Sequence, residues 1–430
     1  MARQMHGSVI AGNRIYVING NTPNGWSDEV LSAEILNDGN LGEWRQEGRT
    51  PDRRCYIAHG TIVVRDHIYV IGGTTTNVNN TVHDAMPTTN TISYTMIKAD
   101  GTLGDWKVSE PFAPAGRSNV AASVSGDYIY MTGGKGRGTV ESDVIRGRIN
   151  DKGEPVEWTN IGALPTPLWF HGSTIIDNRL YVWGGLTTQG TNTPNSEVFV
   201  ADINPDHTLS DWRKSTSMPK AVYSSAFFGF NDLLLSVGGR YVNGVPTNDI
   251  WYSTVKDKVV QPWIQLTTDL DTRIYHSFAL DESRGNVFII GGRFRANSNP
   301  SDIGHLVSEV AAFKLGVGGT QSATEGLTSH ASLDAAVAAA AKSKKPVLAY
   351  FFSPNVPACE RFVSNVLNAN PVKALLANYE VVKVDAVNSA DTATKYSIFR
   401  VPALLKLDAA GKQLEQTRAQ TPADVVTFLK

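Results

Sequence analysis

Apolar positions in the first three quarters of the chain fall in paired short runs, and the pair recurs six times. The second run of each pair reads RIYVING, HIYVIGG, YIYMTGG, RLYVWGG, LLLSVGG and NVFIIGG, ending at Gly20, Gly73, Gly134, Gly185, Gly239 and Gly292. The spacings of 53, 61, 51, 54 and 53 residues mark one repeated unit. A small-residue apolar run precedes each copy (HGSVIAG, HGTIVVR, NVAASVS, HGSTIID, SAFFGF, HSFALD). An alternating segment follows, such as EVLSAEIL, DVIRGRI or EVFVADI, and then a Trp 24 to 33 residues after the glycines: Trp44, Trp106, Trp158, Trp212 and Trp263. The two continuous runs predict strands buried on both faces, and the alternating segment predicts a half-exposed third strand. The glycines end the second strand where a side chain would obstruct the bend. Asp-Gly in NDGNLGEW and ADGTLGDW supplies the positive φ of the turn into a fourth strand. One such antiparallel sheet cannot bury both faces; six arranged radially can.

The paired glycines, degenerate in the first copy as Asn19-Gly20, and the five spaced tryptophans resemble the kelch repeat over residues 1 to about 316. The resemblance implies an all-β, six-bladed propeller over 1–316. The sixth copy runs through SEVAAFKLG and stops, with Gly316 where a Trp is expected. Kelch rings usually close when a strand from the other terminus completes the last blade, yet only five residues precede His6. Three readings stay open: an N-terminus removed by processing or design, a last blade of three strands, or a fourth strand supplied by another chain. An open edge is a template for pairing, so this incomplete sixth blade is the expected place for a protein partner or self-association.

After a Gly/Ser/Thr linker at 317–328 the pattern changes. SLDAAVAAAAK predicts a helix, PVLAYFF a strand and ACERFVSNVL a helix. NPVKALLANY predicts a helix capped by Asn370 with Pro371 in its first turn. YEVVKVDAV is a strand, VPALLKLDAAGKQLEQ a hairpin turning at Gly411, and TPADVVTFLK a helix capped by Thr421. Strands alternating with helices and ending in a hairpin make residues 329–430 an α/β domain. The chain is thus read as multi-domain, an all-β propeller followed by an α/β unit.

The phrases KKPVLAYFF and FRVPALLKLDAAGK resemble a thioredoxin-like domain, in the subfamily that includes the C-terminal domain of bacterial transmembrane thiol reductases. The resemblance implies a bacterial chain and makes Val401-Pro402 the cis-proline loop. It also places the Cys-x-x-Cys positions at Val356, Pro357, Ala358 and Cys359. The thiolate of the first cysteine is the nucleophile of such a motif, and Val356 cannot supply one. Cys359, Phe362, Val363, Val366 and Leu367 form one apolar helical stripe, so Cys359 is expected to be a buried, inert thiol. Thiol chemistry there is the least favoured reading.

Charged residues are 19% of the chain and the net charge is -2, with no run of like charge, which argues against nucleic acid as a partner. No apolar stretch is long enough to span a membrane, and MARQMHGSVIAG is not a signal peptide as it stands. Two cysteines exclude a disulfide framework and a Cys-rich zinc site. Loops rich in Asn, Thr and Gly with few Lys lean towards a periplasmic, cell-surface or secreted protein whose signal peptide is absent from this chain.

The propeller resemblance implies ligand binding where inter-blade loops meet the loops after the second strands. Mapped onto this chain, those loops hold Arg53, Arg54, Arg117, Trp169, Lys220 and Arg273, then Lys135, Arg137, Arg240, Tyr241 and Arg293. Cations gathered at one mouth would favour a carboxylated or phosphorylated ligand such as an anionic glycan, with Trp169 and Tyr241 stacking on a sugar. The competing reading is that an Arg before the first strand only ties blades together. His6, His59, His171 and His276 recur near the first strand; packing is preferred over a metal site, because no repeat-matched carboxylate supports them. No cofactor motif stands out. The leading expectation is a non-catalytic scaffold, with no catalytic residues, no cofactor and no metal. The alternative is an acidic-sugar binding protein or mutarotase-like enzyme in which Arg53, Arg117, Arg240 and Arg293 converge.

Overall fold

The computed structural model describes the chain except residues 1, 37–38, 76–85, 188–192, 267–269, 283–284, 295–304, 316–328, 353–358, 360–361, 387–388, 397, 399–400 and 418–421. The linker and Val356 therefore lie outside the described residues, as do parts of the polar loops 74–91 and 186–197. Two compact units result, one of Met1–Asp281 with Val287–Ala312, the other of Glu282–Asn286 with Phe313–Lys430. The division falls inside the last strand of the sixth sheet, Val310–Lys314.

Each copy folds as an antiparallel sheet in sequence order. The first is Gly7–Ala11, Arg14–Ile18, Glu29–Glu34 and Arg45–Arg49. The third is the most regular: Ala121–Ser125, Tyr128–Thr132, Asp143–Ile149 and Pro155–Ala163. Second strands are buried along nearly their whole length, as in Leu233–Val237, because neighbouring blades cover both faces. Among the described residues the sixth sheet has three strands, Ser277–Asp281, Asn286–Ile290 and Val310–Lys314.

The tryptophans pack between blades: Trp106, Trp158 and Trp212 lie against the cores shared with the preceding blade, and Trp263 Nε1 donates to Thr216 O at 3.0 Å. Trp44 is 40% exposed.

Among the described residues, backbone links join the blades around the ring. The amide of the second glycine in each blade donates to a carbonyl two residues before the left-handed position that opens the next blade. The links are Gly20 to Arg54, Gly73 to Arg117, Gly134 to Leu168, Gly185 to Val222, Gly239 to Arg273 and Gly292 to Arg3, all 2.7–3.0 Å. The last of these joins blade six to blade one, and the Ser8 hydroxyl reinforces it by donating to Ser277 Oγ at 2.6 Å. The approach is close: a Cβ on Gly133, at φ +55, would lie 2.3 Å from Leu168 O. In blade one Asn19 takes the first-glycine position at φ 59, a region Asn tolerates. Its amide donates to Asp52 O at 3.1 Å and accepts from Thr50 Oγ1 at 2.8 Å.

In the second unit the sheet order is Glu380–Asp385, Val347–Phe352, Ala403–Leu407, Gln413–Thr417, the first pair parallel and the others antiparallel. Helices Leu333–Ser343 and Pro422–Leu429 form where the pattern predicts them, the first capped by Ser332 accepting from Ala335 N at 3.1 Å. Asn370 is not a cap: the helix Asn370–Leu376 has Ala369 at that position, without a side-chain cap bond. Phe362–Leu367 winds as a π-helix, and a short helix at Ala390–Lys395 was not expected from the pattern. The Val401–Pro402 peptide is cis. No helix among the described residues is long and apolar enough to cross a membrane.

Candidate functional site

One residue before the first strand of every blade, or close to it, sits in the left-handed region: Met5, Tyr56, Asn119, Phe170, Ser224 and Tyr275, at φ between 52 and 61. This conformation turns the chain from the inter-blade segment into the axial strand. It also lets the segments bond to one another around the axis. Met5 N donates to Tyr275 O (2.8 Å), Tyr56 N to Met5 O (2.8 Å) and Asn119 N to Tyr56 O (2.9 Å).

Three of the six are aromatic, and they meet. Ring centroids are 6.0 Å apart for Tyr56 and Phe170, 6.2 Å for Tyr56 and Tyr275, and 5.7 Å for Phe170 and Tyr275. Edge-to-face and tilted pairs at these spacings are favourable. The triad forms an aromatic plug that lines, together with His59, His276 and Ser224, a cavity of about 20 Å³, room for about one water. The triad is absent from the sequence-derived candidates. Aligning the copies on the position before the first strand, rather than on the glycines, would have exposed it.

The residue after each glycine pair is pinned beside this plug by paired backbone bonds, as in Lys135 with Ser118 and Arg240 with Tyr223. Lys135, Arg240 and Arg293 share this position, and each reaches over the next blade. Lys135 Nζ lies 4.2 Å from the Trp169 ring centroid, Arg240 Cζ 4.9 Å from that of Tyr275, and Arg293 Nε donates to Gln4 Oε1 at 3.1 Å. Burial pushes the Tyr56 hydroxyl well above its ordinary pKa, with Tyr275 and Cys55 adding to the rise, while Arg240 and Arg293 both pull it down.

The remaining candidates lie elsewhere. Arg54 is fully buried, donating to Asp52 and to the carbonyls of Val70, Gly72 and Thr91. Arg117 is 3% exposed and bonds Asp143 Oδ2 at 3.2 Å, and Arg273 reaches Glu309. These arginines sit where the inter-blade carbonyl receives the glycine amide, so each ties two blades. Arg53 and Arg137 are exposed. The Tyr241 hydroxyl accepts from Trp251 Nε1 at 2.9 Å and donates to Asp249, with Lys220 Nζ 4.9 Å from its ring. Of the four arginines expected to converge, Arg240 lies over Tyr275, Arg293 donates to Gln4, Arg117 bonds Asp143 and Arg53 is exposed.

His6, His171 and His276 pack against the first glycine of the preceding blade: a Cβ on Gly291, Gly133 or Gly238 would lie 2.9–3.1 Å from their imidazole Cε1. His59 Nε2 accepts the Phe227 amide at 3.1 Å. Among the described residues no three His, Cys, Asp or Glu side chains gather as metal ligands. A larger groove of about 400 Å³ lies between blades one and two. In it Arg65 pairs with Asp127, Asp66 with His67, and Asp100 accepts from Thr102.

In the second unit Cys359 is fully buried together with Phe362, Val363, Val366 and Leu367. Its carbonyl accepts from the Tyr350 hydroxyl at 2.9 Å. Pro402 is also buried.

Comparison with known proteins covers both parts. Residues 328–409 match the family model described as thioredoxin-like. Kelch-like protein terF of Aspergillus terreus is 26% identical over 300 residues, 67% of this chain and 61% of that protein. An F-box/kelch-repeat protein of Arabidopsis thaliana is 23% identical, over 55% of this chain and 51% of its own length. Kelch-like protein 40 of Mus musculus is 25% identical, over 56% and 36%. The chain thus spans less than two thirds of the length of these relatives. With six glycine-linked sheets in one unit and the cis-proline α/β sheet in the other, the chain is a kelch-type β-propeller followed by a thioredoxin-like domain.

Proposed function

We propose that this is a non-catalytic recognition or assembly protein acting outside the cytoplasm. The propeller presents the recognition surface, and the thioredoxin-like domain is a redox-inactive docking module. The observation that carries the reading is the pair Val356 and Cys359: the nucleophile position holds an aliphatic side chain, and the remaining thiol is fully buried. Likeness to Kelch-like proteins supports protein partners.

Iodoacetamide treatment of the native chain, read by mass spectrometry, should leave Cys359 unmodified while a small free thiol is consumed; unfolded chain should label fully. Cys359 labelling as fast as the free thiol, or catalysed reduction of insulin, would sink the redox-inactive reading. The location rests on the Asn/Thr/Gly-rich loops. Fractionating the source cells and probing for this chain checks it, and recovery with the cytoplasmic fraction alone would remove that part.

A further inference from the structure

An asparagine followed by glycine is open to attack by its own backbone, because the glycine nitrogen has no Cβ beside it to block approach to the carboxamide. The chain carries this dipeptide at Asn19-Gly20, Asn24-Gly25 and Asn243-Gly244. The first two are close neighbours in blade one, and the fold puts them in opposite situations.

At Asn19 both reacting groups are engaged. The residue is fully buried at φ 59. Its carboxamide donates to Asp52 O and accepts from Thr50 Oγ1, and the Gly20 amide donates to Arg54 O at 2.9 Å. The last of these is a seam contact, so freeing Gly20 means opening the ring. Asn24 is exposed, in the turn between the two-residue strands Asn21–Thr22 and Gly25–Trp26. Among the described residues its carboxamide has no partner, and a Cβ on Gly25 would meet nothing within 4 Å. Gly25 pairs with Thr22 across the turn, and the Thr22 hydroxyl accepts from Asn24 N at 3.2 Å and donates to Gly25 O at 2.9 Å. So short a hairpin opens at little cost.

We propose that Asn24 is a self-modification site, deamidating spontaneously in the folded protein while the seam preserves Asn19. The Gly25 nitrogen attacks Asn24 Cγ, the bond from Cγ to the side-chain nitrogen breaks, and ammonia leaves with the proton given up by the Gly25 amide. Water then opens the cyclic imide at either carbonyl, giving aspartate or isoaspartate; nothing is oxidised or reduced. Either product adds one negative charge to the loop after the second strand, and isoaspartate also lengthens the main chain by one carbon. The same hairpin holds the amino-terminal segment, since Asn21 exchanges two backbone bonds with Gln4. The loop therefore gains charge as the molecule ages, whatever the propeller binds, and the inference stands apart from the recognition reading above.

The test is to age the native full chain at mildly alkaline pH and body temperature, with a second sample in urea. Fragment ions of the proteolytic peptide that carries both asparagines place each conversion. In the native chain Asn24 should convert at least about tenfold faster than Asn19, because only the latter needs ring opening; in urea the two rates should be similar. Isoaspartate among the products, detected with an isoaspartyl methyltransferase, marks the imide route. Asn24→Gln should remove the acidic species from isoelectric focusing with melting unchanged. The proposal is overturned if Asn24 stays intact in the native chain while converting in urea, if Asn19 keeps pace with it in the native chain, or if aspartate is the sole product.

Discussion

Lowering the pH from 7 to 5 is expected to weaken the propeller by roughly 2 kcal/mol for each of His59, His171 and His276. Burial is the leading cause in each case, driving His59 and His171 down to about 3 and His276 to about 4; His6 is also held well below its ordinary value, by burial and then by Arg3. The unfolded chain titrates near 6.5. Below that pH it takes up protons that the folded propeller refuses. The stability is therefore complete above about pH 6.5 and lost progressively as the pH falls towards the folded values.

The packing explains the refusal. His59 needs its Nε2 lone pair for the Phe227 amide, and a proton added at the buried Nδ1 of His171 or His276 would find no acceptor among the described residues, so burial outweighs the bonds their Nε2 atoms make to Thr132 and Val237. All nine tryptophans lie between Trp26 and Trp263, so their fluorescence reports this unit alone. Urea unfolding followed by that signal should show a clearly lower midpoint at pH 5. His171→Gln should flatten the pH slope by about one proton. Equal midpoints at the two pH values would refute the account.

Deleting residues 2–5 should be the most damaging small change to the propeller. Arg3, only 1% exposed, supplies the carbonyl that receives Gly292 and donates Nη1 to Asn19 O at 2.9 Å. Gln4 exchanges two backbone bonds with Asn21, and Met5 bonds Tyr275 on one side and Tyr56 on the other. At about 1 kcal/mol per net hydrogen bond, the loss is roughly 5 kcal/mol before the buried Arg3 is considered. That corresponds to a melting point lower by about 10 °C or more. Calorimetry on the truncated chain checks it; a melting point within about 2 °C of the parent would show that the seam is held by other contacts.

The architecture was legible because a side-chain-free position is a steric demand. The second glycine's amide reaches the next blade's carbonyl, and a Cβ on the first glycine would lie 2.3–2.5 Å from that oxygen at Gly72, Gly133 and Gly291, so the sequence carries the pair. Blade one has a left-handed asparagine, Asn19, at the first position and so read as degenerate. The site was less legible. Arg53 and Arg54 are adjacent, yet one is exposed and the other fully buried, because an extended segment points neighbouring side chains in opposite directions. Composition cannot say which is which. Nor could the repeat position alone say that Arg117 is held by Asp143 while Arg240 lies over Tyr275. The aromatic plug went unseen because Tyr56, Phe170 and Tyr275 lie in different copies, and only the closed ring brings them together. In the second unit the apolar stripe around Cys359 was visible, but the π winding that carries it was not.

The link between blade six and blade one is chemically the same as the five others, a glycine amide on an inter-blade carbonyl. The ring therefore has no privileged first blade: what the six copies encode is a cyclic order, and the covalent chain records only one way of reading it. Rearranging the gene so that the polypeptide enters the ring at another interface would keep all six links and move only the break.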